Sequence, residues 1–245
     1  MSKLFDRAKQ YAGEKLMDSE KTPFDPDLLE LFTQIDLVKD WSDKLYHKIE
    51  ELVQPNPALR AEVFINEKLD IKSPERMTTI EHFGTILEQS ADSMKDFLSE
   101  NSFKLNKLIG ITEKRIGADN REFITTLQEK YLMPFKNFIQ GDLSDVSKGR
   151  KSLDTIRLDL DICKNKVKKA KPVDVRNAEA ALSDAQHLFD KEVEYVRTLI
   201  QKTIKAFETL QKSCLSSFIK LQIDYFTESK ESLIKLREKL NDQIN

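Results

Sequence analysis

The segment ALSDAQHLFDKEVEYVRTLIQKTIKAFETLQKSCLSSFIKLQIDYF, residues 181–226, is the clearest indication of the fold. It contains neither glycine nor proline, and its apolar residues recur every three or four positions, which is the spacing of one face of an α-helix. That face comprises Leu182, Ala185, Phe189, Val193, Val196, Ile200, Ile204, Phe207, Leu210, Cys214, Phe218, Leu221 and Tyr225. With Leu233, Leu236 and Leu240 continuing it, the sequence predicts one helix over about 175–243. At ~1.5 Å per residue this helix is on the order of 100 Å long, so it must be stabilised mainly by packing on partners.

Two further helical regions precede it. The first is predicted over about 27–52, with a shorter piece from Pro57 onward in which Asn56 is the cap. The second runs over about 83–171, with a weak joint near Glu100–Phe103, and Pro134 should kink it because proline removes an amide donor. The chain has 245 residues but only six glycines and seven prolines, which leaves few turns for a β-rich or α/β fold.

The predicted fold is therefore all-α, a long, kinked, three-helix antiparallel coiled-coil bundle. The apolar spacing averages nearer 3.6 than 3.5 residues, which favours a kinked bundle over a regular coiled coil. A thin rod of three helices exposes much of its apolar surface, so we expect a homodimer. Its predicted core residues are Trp41, Phe207 and Phe218.

Residues 1–17, MSKLFDRAKQYAGEKLM, predict a short amphipathic helix. The apolar arc, which is the candidate membrane-inserting surface, comprises Leu4, Phe5, Ala8, Tyr11 and Leu16. A segment of this kind with basic flanks can lie in the headgroup plane of a membrane, or it can pack on the protein itself, and the sequence leaves both open. Residues 18–26 contain two prolines and mostly polar residues, which predicts a tether.

Positive charge is concentrated in one window of the chain. The net charge of −2 divides into −7 for residues 1–147, +6 for 148–176 and −1 for 177–245. The candidate lipid-binding residues are Arg150, Arg157, Lys164, Lys166, Lys168, Lys169, Lys171 and Arg176. Four of them recur at seven-residue steps and so share one side of the predicted helix. Such a stripe suits an anionic membrane, where each basic residue contributes about 1 kcal/mol; the alternative is an ordinary solvated face.

Other functions find little support in the sequence. The window lacks interleaved aromatics and the remaining chain is acidic, so no nucleic-acid partner is expected. His47, His82 and His187 are scattered and no zinc or phosphate-binding motif is present, so we expect no enzyme, cofactor or metal. Cys163 and Cys214 are too few for a disulfide framework, and no apolar run reaches about 18 residues. A cytoplasmic, peripheral membrane protein is the simplest interpretation.

Four segments carry a family resemblance. They are LVQPNPALRAEVFINEKLD (52–70), EKRIGADNREFI (113–124), YLMPFKNFIQGD (131–142) and RKSLDTIRLDLDICKNKVKKAKP (150–172). In this order they resemble the N-BAR domain of endophilins, most closely the endophilin-B branch. The resemblance implies a crescent-shaped dimer of three kinked helices per subunit that senses or generates curvature of anionic phospholipid membranes, in endocytosis or organelle membrane dynamics.

The resemblance also suggests a division of the chain. Residues 1–17 correspond to the amphipathic N-terminal helix and 18–245 to the BAR-like helical domain. Within that domain 68–82 occupy the position of the endophilin insert, with Leu69, Ile71, Met77 and Ile80 as candidates for insertion. The sequence ends at Asn245 without the Src-homology module of endophilins, so proline-rich partners are not expected. The alternative function is a structural coiled-coil adaptor that binds protein partners without lipid.

Overall fold

The computed structural model describes residues 7, 21–69, 71 and 76–244. From Pro26 onward these residues form seven α-helices and one π-helical turn, and none of them lies in a β-strand, as the all-α prediction requires. The helices are α1 Pro26–Val53, α2 Pro57–Lys68, α3 Thr79–Ser93, α4 Glu100–Leu127, α5 Met133–Gln140, α6 Asp142–Lys169 and α7 Val175–Ile244, and the π turn is Gln128–Leu132. The final helix therefore matches its predicted range almost to the residue.

Side-chain caps fix where several helices begin. Asp25 accepts a hydrogen bond from the backbone N–H of Leu28 (2.8 Å) at the start of α1. That bond, followed by the contact with Arg197, lowers the pKa of Asp25. Asn56 caps α2 through the N–H of Ala58 (3.0 Å), which confirms the prediction for this helix.

The long second helix of the sequence prediction is interrupted. Residues 94–99 separate α3 from α4, slightly before the joint predicted at Glu100–Phe103, because Ser99 caps α4 and starts a new helix. Just before Pro134 the backbone hydrogen bonds change from the α-helical to the π-helical pattern. The N–H of Met133 donates to the carbonyl of Gln128, five residues back instead of four. A proline that cannot donate is thus accommodated by a π turn, a common cause of helix bending.

The chain forms two compact units. The first contains Met1–Lys44 and Asn137–Thr209, and the second contains Leu45–Lys136 and Leu210–Asn245. The core of the first is built from apolar residues of α1, α6 and α7, including Leu28, Ile35, Leu153, Leu160, Val196 and Ile200. The core of the second includes Leu127, Tyr131, Phe135 and Cys214. The predicted boundary between residues 17 and 18 lies outside the described residues.

In the second unit, α3 and α4 form an antiparallel hairpin. Glycines allow the two backbones to approach closely: a Cβ added at Gly84 would lie 2.5 Å from the carbonyl oxygen of Gly110. Buried Glu81 completes a capping box with Thr78 and pairs with Arg121 (3.0 Å). The hairpin is therefore held by close backbone packing and by polar contacts that leave Glu81 paired.

Candidate functional site

Basic side chains crowd the junction between α6 and α7. Residues 164–176 contain six basic residues against one acidic residue. Five of the six are exposed, and we call them the basic patch: Lys166, Lys168, Lys169, Lys171 and Arg176. Three of them lie in the last turn of α6, where cations are favoured by the negative end of the helix dipole. The basic patch is therefore a densely positive surface, and three of its lysines are also stabilised by the helix dipole.

The other predicted lipid-binding residues lie apart from this patch. Arg150 pairs with Asp36 (Nη1 to Oδ1, 2.5 Å), and its guanidinium lies 4.4 Å from the ring centre of Phe32. Lys164 is half-buried and donates a hydrogen bond to the hydroxyl of Thr22 (2.7 Å). Both side chains are thus engaged in contacts within the protein.

Arg157 corrects the sequence prediction. It is only 5% exposed, its guanidinium lies 5.3 Å from the ring centre of Phe24, and it pairs with Asp154 (3.6 Å). The seven-residue steps keep Arg150, Arg157 and Lys164 on one side of α6, but Phe24 from the segment before α1 covers that side at Arg157. A buried, aromatic-covered guanidinium is a packing element, so Arg157 does not belong to a lipid-facing stripe. Burial raises the pKa of neighbouring Asp154, while Arg150 lowers it by a smaller amount.

The segment before α1 is attached to α6 and α7 through three of its residues. We call Thr22, Phe24 and Asp25 the anchor residues. The amide of Thr22 donates to Asp161 Oδ1 (3.2 Å), and the hydroxyl of Thr22 donates to the same carboxylate.

The remaining anchor residues contact α7. Phe24 stacks on Phe189, with ring centres 6.2 Å apart. Asp25 pairs with Arg197 (2.9 Å). The prediction of a tether over 18–26 is therefore wrong from Thr22 onward: its polar residues have partners on α6 and α7 that composition cannot reveal.

The predicted membrane-inserting residues, Leu4, Phe5, Ala8, Tyr11 and Leu16, lie outside the described residues. Within that part of the sequence, Arg7 is described. Its Nε and Nη2 donate to the two carboxylate oxygens of Asp159 at 2.7 and 2.6 Å. This is a bidentate pair, the stronger geometry for an arginine and a carboxylate.

The predicted dimer residues differ in their surroundings. Trp41 is 55% exposed, with the ammonium of Lys44 lying 4.8 Å from its ring centre. Phe207 and Phe218 are half-buried against aromatic rings of the same chain, namely Phe138 (5.9 Å) and Tyr131 (6.4 Å). These two phenylalanines therefore contribute to the fold of the single chain.

A second apolar face of α7 escaped the sequence analysis. It comprises Leu215, Ile219, Ile223 and Phe226, which are 43–61% exposed. We call it the exposed α7 face. Its signal was present in the sequence, because these residues also recur at helical spacing, mostly one position beyond the core face. Leu233, which was predicted to continue the core face, is itself 46% exposed.

Comparison with known proteins completes the description of the site. The BAR domain family model matches residues 1–242. The chain belongs to the BAR domain family. Human Endophilin-B1 is 37% identical over 237 residues, which cover 96% of this chain and 64% of that protein. Endophilin-B2 of Gallus gallus is 32% identical over 267 residues, covering 96% of this chain and 65% of that protein.

The chain therefore spans somewhat less than two thirds of the length of these curated relatives. A solved structure, the N-terminal I-BAR domain of D. discoideum IBARa, aligns with a TM-score of 0.35 at 15% identity, covering 100% of this chain and 94% of that one. That similarity is too low to indicate a fold by itself.

Membership of the BAR family confirms the predicted resemblance. The Endophilin-B relatives agree with the branch of the family that the quoted segments indicate. No helix in the described part of the chain is sufficiently long and apolar to span a membrane. Among the same residues, no group of three or more His, Cys, Asp or Glu side chains is placed to hold a metal ion.

The insert-like segment of this BAR domain is only partly described. Of its predicted insertion residues, Leu69, Ile71 and Met77 are exposed and Ile80 is half-buried at the start of α3. Phe64 and Ile65 on α2 are also exposed, although the sequence analysis placed them only in a helix. The exposed apolar surface thus begins before residue 68.

Proposed function

We propose that this BAR domain binds anionic phospholipid membranes through the basic patch and senses or generates their curvature, as a peripheral, cytoplasmic homodimer. The N-terminal amphipathic segment inserts into the headgroup region and acts with the patch, in endocytosis or organelle membrane dynamics. One observation carries the proposal: Lys166, Lys168, Lys169, Lys171 and Arg176 are all exposed at one junction. At about 1 kcal/mol for each basic residue near an anionic surface, five of them suffice for reversible electrostatic docking.

Homodimerisation is supported by apolar surface that the single chain leaves exposed. Trp41 in the first unit and the exposed α7 face in the second are large apolar side chains in contact with water. Contiguous exposed apolar surface on a folded protein usually marks an interaction site. A second copy of the chain is the proposed occupant of the exposed α7 face, as expected for a BAR domain.

Co-sedimentation with vesicles tests the lipid part of the proposal. The chain should sediment with vesicles containing phosphatidylserine and remain in the supernatant with neutral phosphatidylcholine vesicles. Binding should weaken in high salt, because the screening length shortens to about 3 Å at 1 M. Negative-stain images of the bound vesicles should show tubules.

A matched pair of charge reversals locates the binding surface. The patch variant K168E/K169E/K171E should lose binding to anionic vesicles while keeping its helical content. The control variant K202E/K205E/K212E changes the charge by the same amount at three exposed lysines of α7 and should bind nearly as well as the parent. Equal binding by the patch variant and the parent would exclude the patch. Absence of vesicle binding by the parent would leave the adaptor function instead.

A further inference from the structure

Thr22 combines an unusual environment with a recognisable sequence. Its hydroxyl donates to Asp161, a carboxylate that is 1% exposed, and accepts from the ammonium of Lys164 (2.7 Å). The residue after it is Pro23. Thr–Pro is the dipeptide that proline-directed serine/threonine kinases recognise. Residues 21–25 form neither helix nor strand, and Lys21 and Pro23 on either side are exposed, as an extended kinase substrate requires.

We propose that Thr22 is a phosphorylation site for a proline-directed serine/threonine kinase, and that its phosphorylation detaches Thr22 from α6. In the transfer, the Thr22 oxygen forms a bond to the γ-phosphorus of ATP. The bond between that phosphorus and the β,γ-bridging oxygen breaks, ADP leaves, and the hydroxyl proton passes to the catalytic base of the kinase.

The phosphorylated side chain does not fit the present contacts. The ester oxygen has no proton to donate to Asp161, and the new group carries about −1.5 to −2 charges near neutral pH. It would stand against the buried Asp161 carboxylate, with the ammonium of Lys164 on the Thr22 side. Two negative groups within hydrogen-bonding distance in a partly desolvated site repel strongly. Asp161 has almost no exposed surface through which water could screen this repulsion.

The consequence extends beyond Thr22. Asp161 holds Thr22, and Asp159, two residues earlier on α6, holds Arg7. These two contacts join the N-terminal part of the chain to the helix that carries most of the basic patch. Breaking the Thr22 contact removes one of them and releases Lys164, which lies beside the patch in sequence. Phosphorylation thus controls how firmly the N-terminal part of the chain is attached to α6, and this control does not depend on lipid binding.

Site assignment is tested on the full chain with a proline-directed kinase and ATP, followed by mass spectrometry. Ser73–Pro74 is the only other Ser/Thr–Pro dipeptide in the sequence and serves as an internal comparison. We expect phosphate on Thr22 in the parent and in the S73A variant, and none there in T22A. Phosphate on Ser73 alone, or on neither residue, would overturn the assignment.

Hydrogen exchange then tests the detachment. The amide of Thr22 bonds Asp161, so it should exchange about tenfold faster or more after phosphorylation, as the loss of a bond to a charged acceptor implies. Amides of the α3–α4 hairpin report on the second unit and should be unchanged. In the D161N variant, the ratio of the Thr22 exchange rate in phosphorylated protein to that in unphosphorylated protein should be much smaller than in the parent, because the buried charge is gone. The mechanism would be refuted if phosphorylation left the Thr22 exchange rate of the parent unchanged, or if it raised that rate by the same factor in D161N as in the parent.

Discussion

The hairpin glycines act at the scale of single residues. Gly84 has no room for a methyl group, because a Cβ there would lie 2.5 Å from the Gly110 carbonyl oxygen and 2.7 Å from the Lys114 nitrogen, both backbone atoms. We predict that Gly84→Ala lowers the free energy of unfolding by about 1–3 kcal/mol, the usual cost of overpacking. Chemical denaturation followed by circular dichroism measures it.

Gly149 in α6 provides the matched control. The nearest atom to a Cβ at this position is Leu199 Cδ2 at 3.4 Å, an ordinary contact with a side chain. Alanine also favours the helix by up to about 1 kcal/mol over glycine. Gly149→Ala should therefore be neutral or stabilising, and equal destabilisation by the two substitutions would show that close packing at Gly84 is not the cause.

Ionisation of Cys214 should make the stability of the second unit depend on pH. Burial raises the pKa of the Cys214 thiol from 9.0 to about 11, and burial, with a smaller effect of Cys214, raises the pKa of Tyr131. Both groups are neutral when protonated, and burial favours the neutral form. Below pH 9.0, the ordinary pKa of the thiol, both stay protonated in the folded and unfolded protein, so burying them costs no ionisation energy. For Cys214, stability is lost as pH rises from 9.0 towards about 11. Melting temperature should fall across that range, and less steeply in Cys214→Ala; parallel curves would contradict this assignment.

Among the helices, the predicted N-terminal helix could either contact α6 or insert into the headgroup region of a membrane. The Arg7–Asp159 pair favours contact with α6, whereas the apolar arc favours the headgroup region. A segment of about 17 residues is near the lower limit for an isolated helix in water, so membrane binding should increase its helicity. Burial of Phe5 would contribute roughly 1.5–3 kcal/mol to insertion.

Phe5→Glu should therefore suppress tubulation while dimerisation and most of the electrostatic docking remain. Circular dichroism with and without anionic vesicles reports the gain of helix, and electron microscopy reports the tubules. The conservative variant Phe5→Leu should retain both. Tubules as frequent with Phe5→Glu as with the parent would remove insertion of this segment from the proposed function.

At the scale of the whole molecule, α7 has two apolar faces with different roles. Ile223 is exposed, so Ile223→Asp should leave the single chain folded. In a dimer it would bury an unpaired charge at a cost of several kcal/mol. We predict that this variant is a folded monomer at micromolar concentration by sedimentation equilibrium, whereas the parent is a dimer.

Phe218→Asp is the informative comparison. Because Phe218 packs on Tyr131 within the chain, this substitution should lower the melting temperature of the protein itself in addition to any effect on assembly. If the parent sediments as a folded monomer, homodimerisation is wrong. If Ile223→Asp remains a dimer, the interface lies elsewhere, and the exposed Trp41 is the next surface to change.

The helical class, the range of α7 and the location of positive charge could be predicted from the sequence. These follow from periodicity and composition, which are local properties: a residue three or four positions along a helix shares its face whatever surrounds it. A disturbance of the helix near Pro134 was predictable for the same reason, since a missing amide donor must be accommodated locally, and the π turn Gln128–Leu132 lies there. The quoted segments were sufficient to indicate the BAR family.

Which of those helix faces are covered depends on the tertiary structure. Arg157 has the spacing of a surface stripe, yet Phe24 buries it, and Thr22 reads as part of a tether, yet Asp161 and Lys164 hold it. Ile223 and Phe218 are both large apolar residues in the sequence, but Phe218 packs on Tyr131 whereas Ile223 is 59% exposed. Burial depends on contacts between segments far apart in the chain, and helical periodicity states which residues share a face without stating what packs against it.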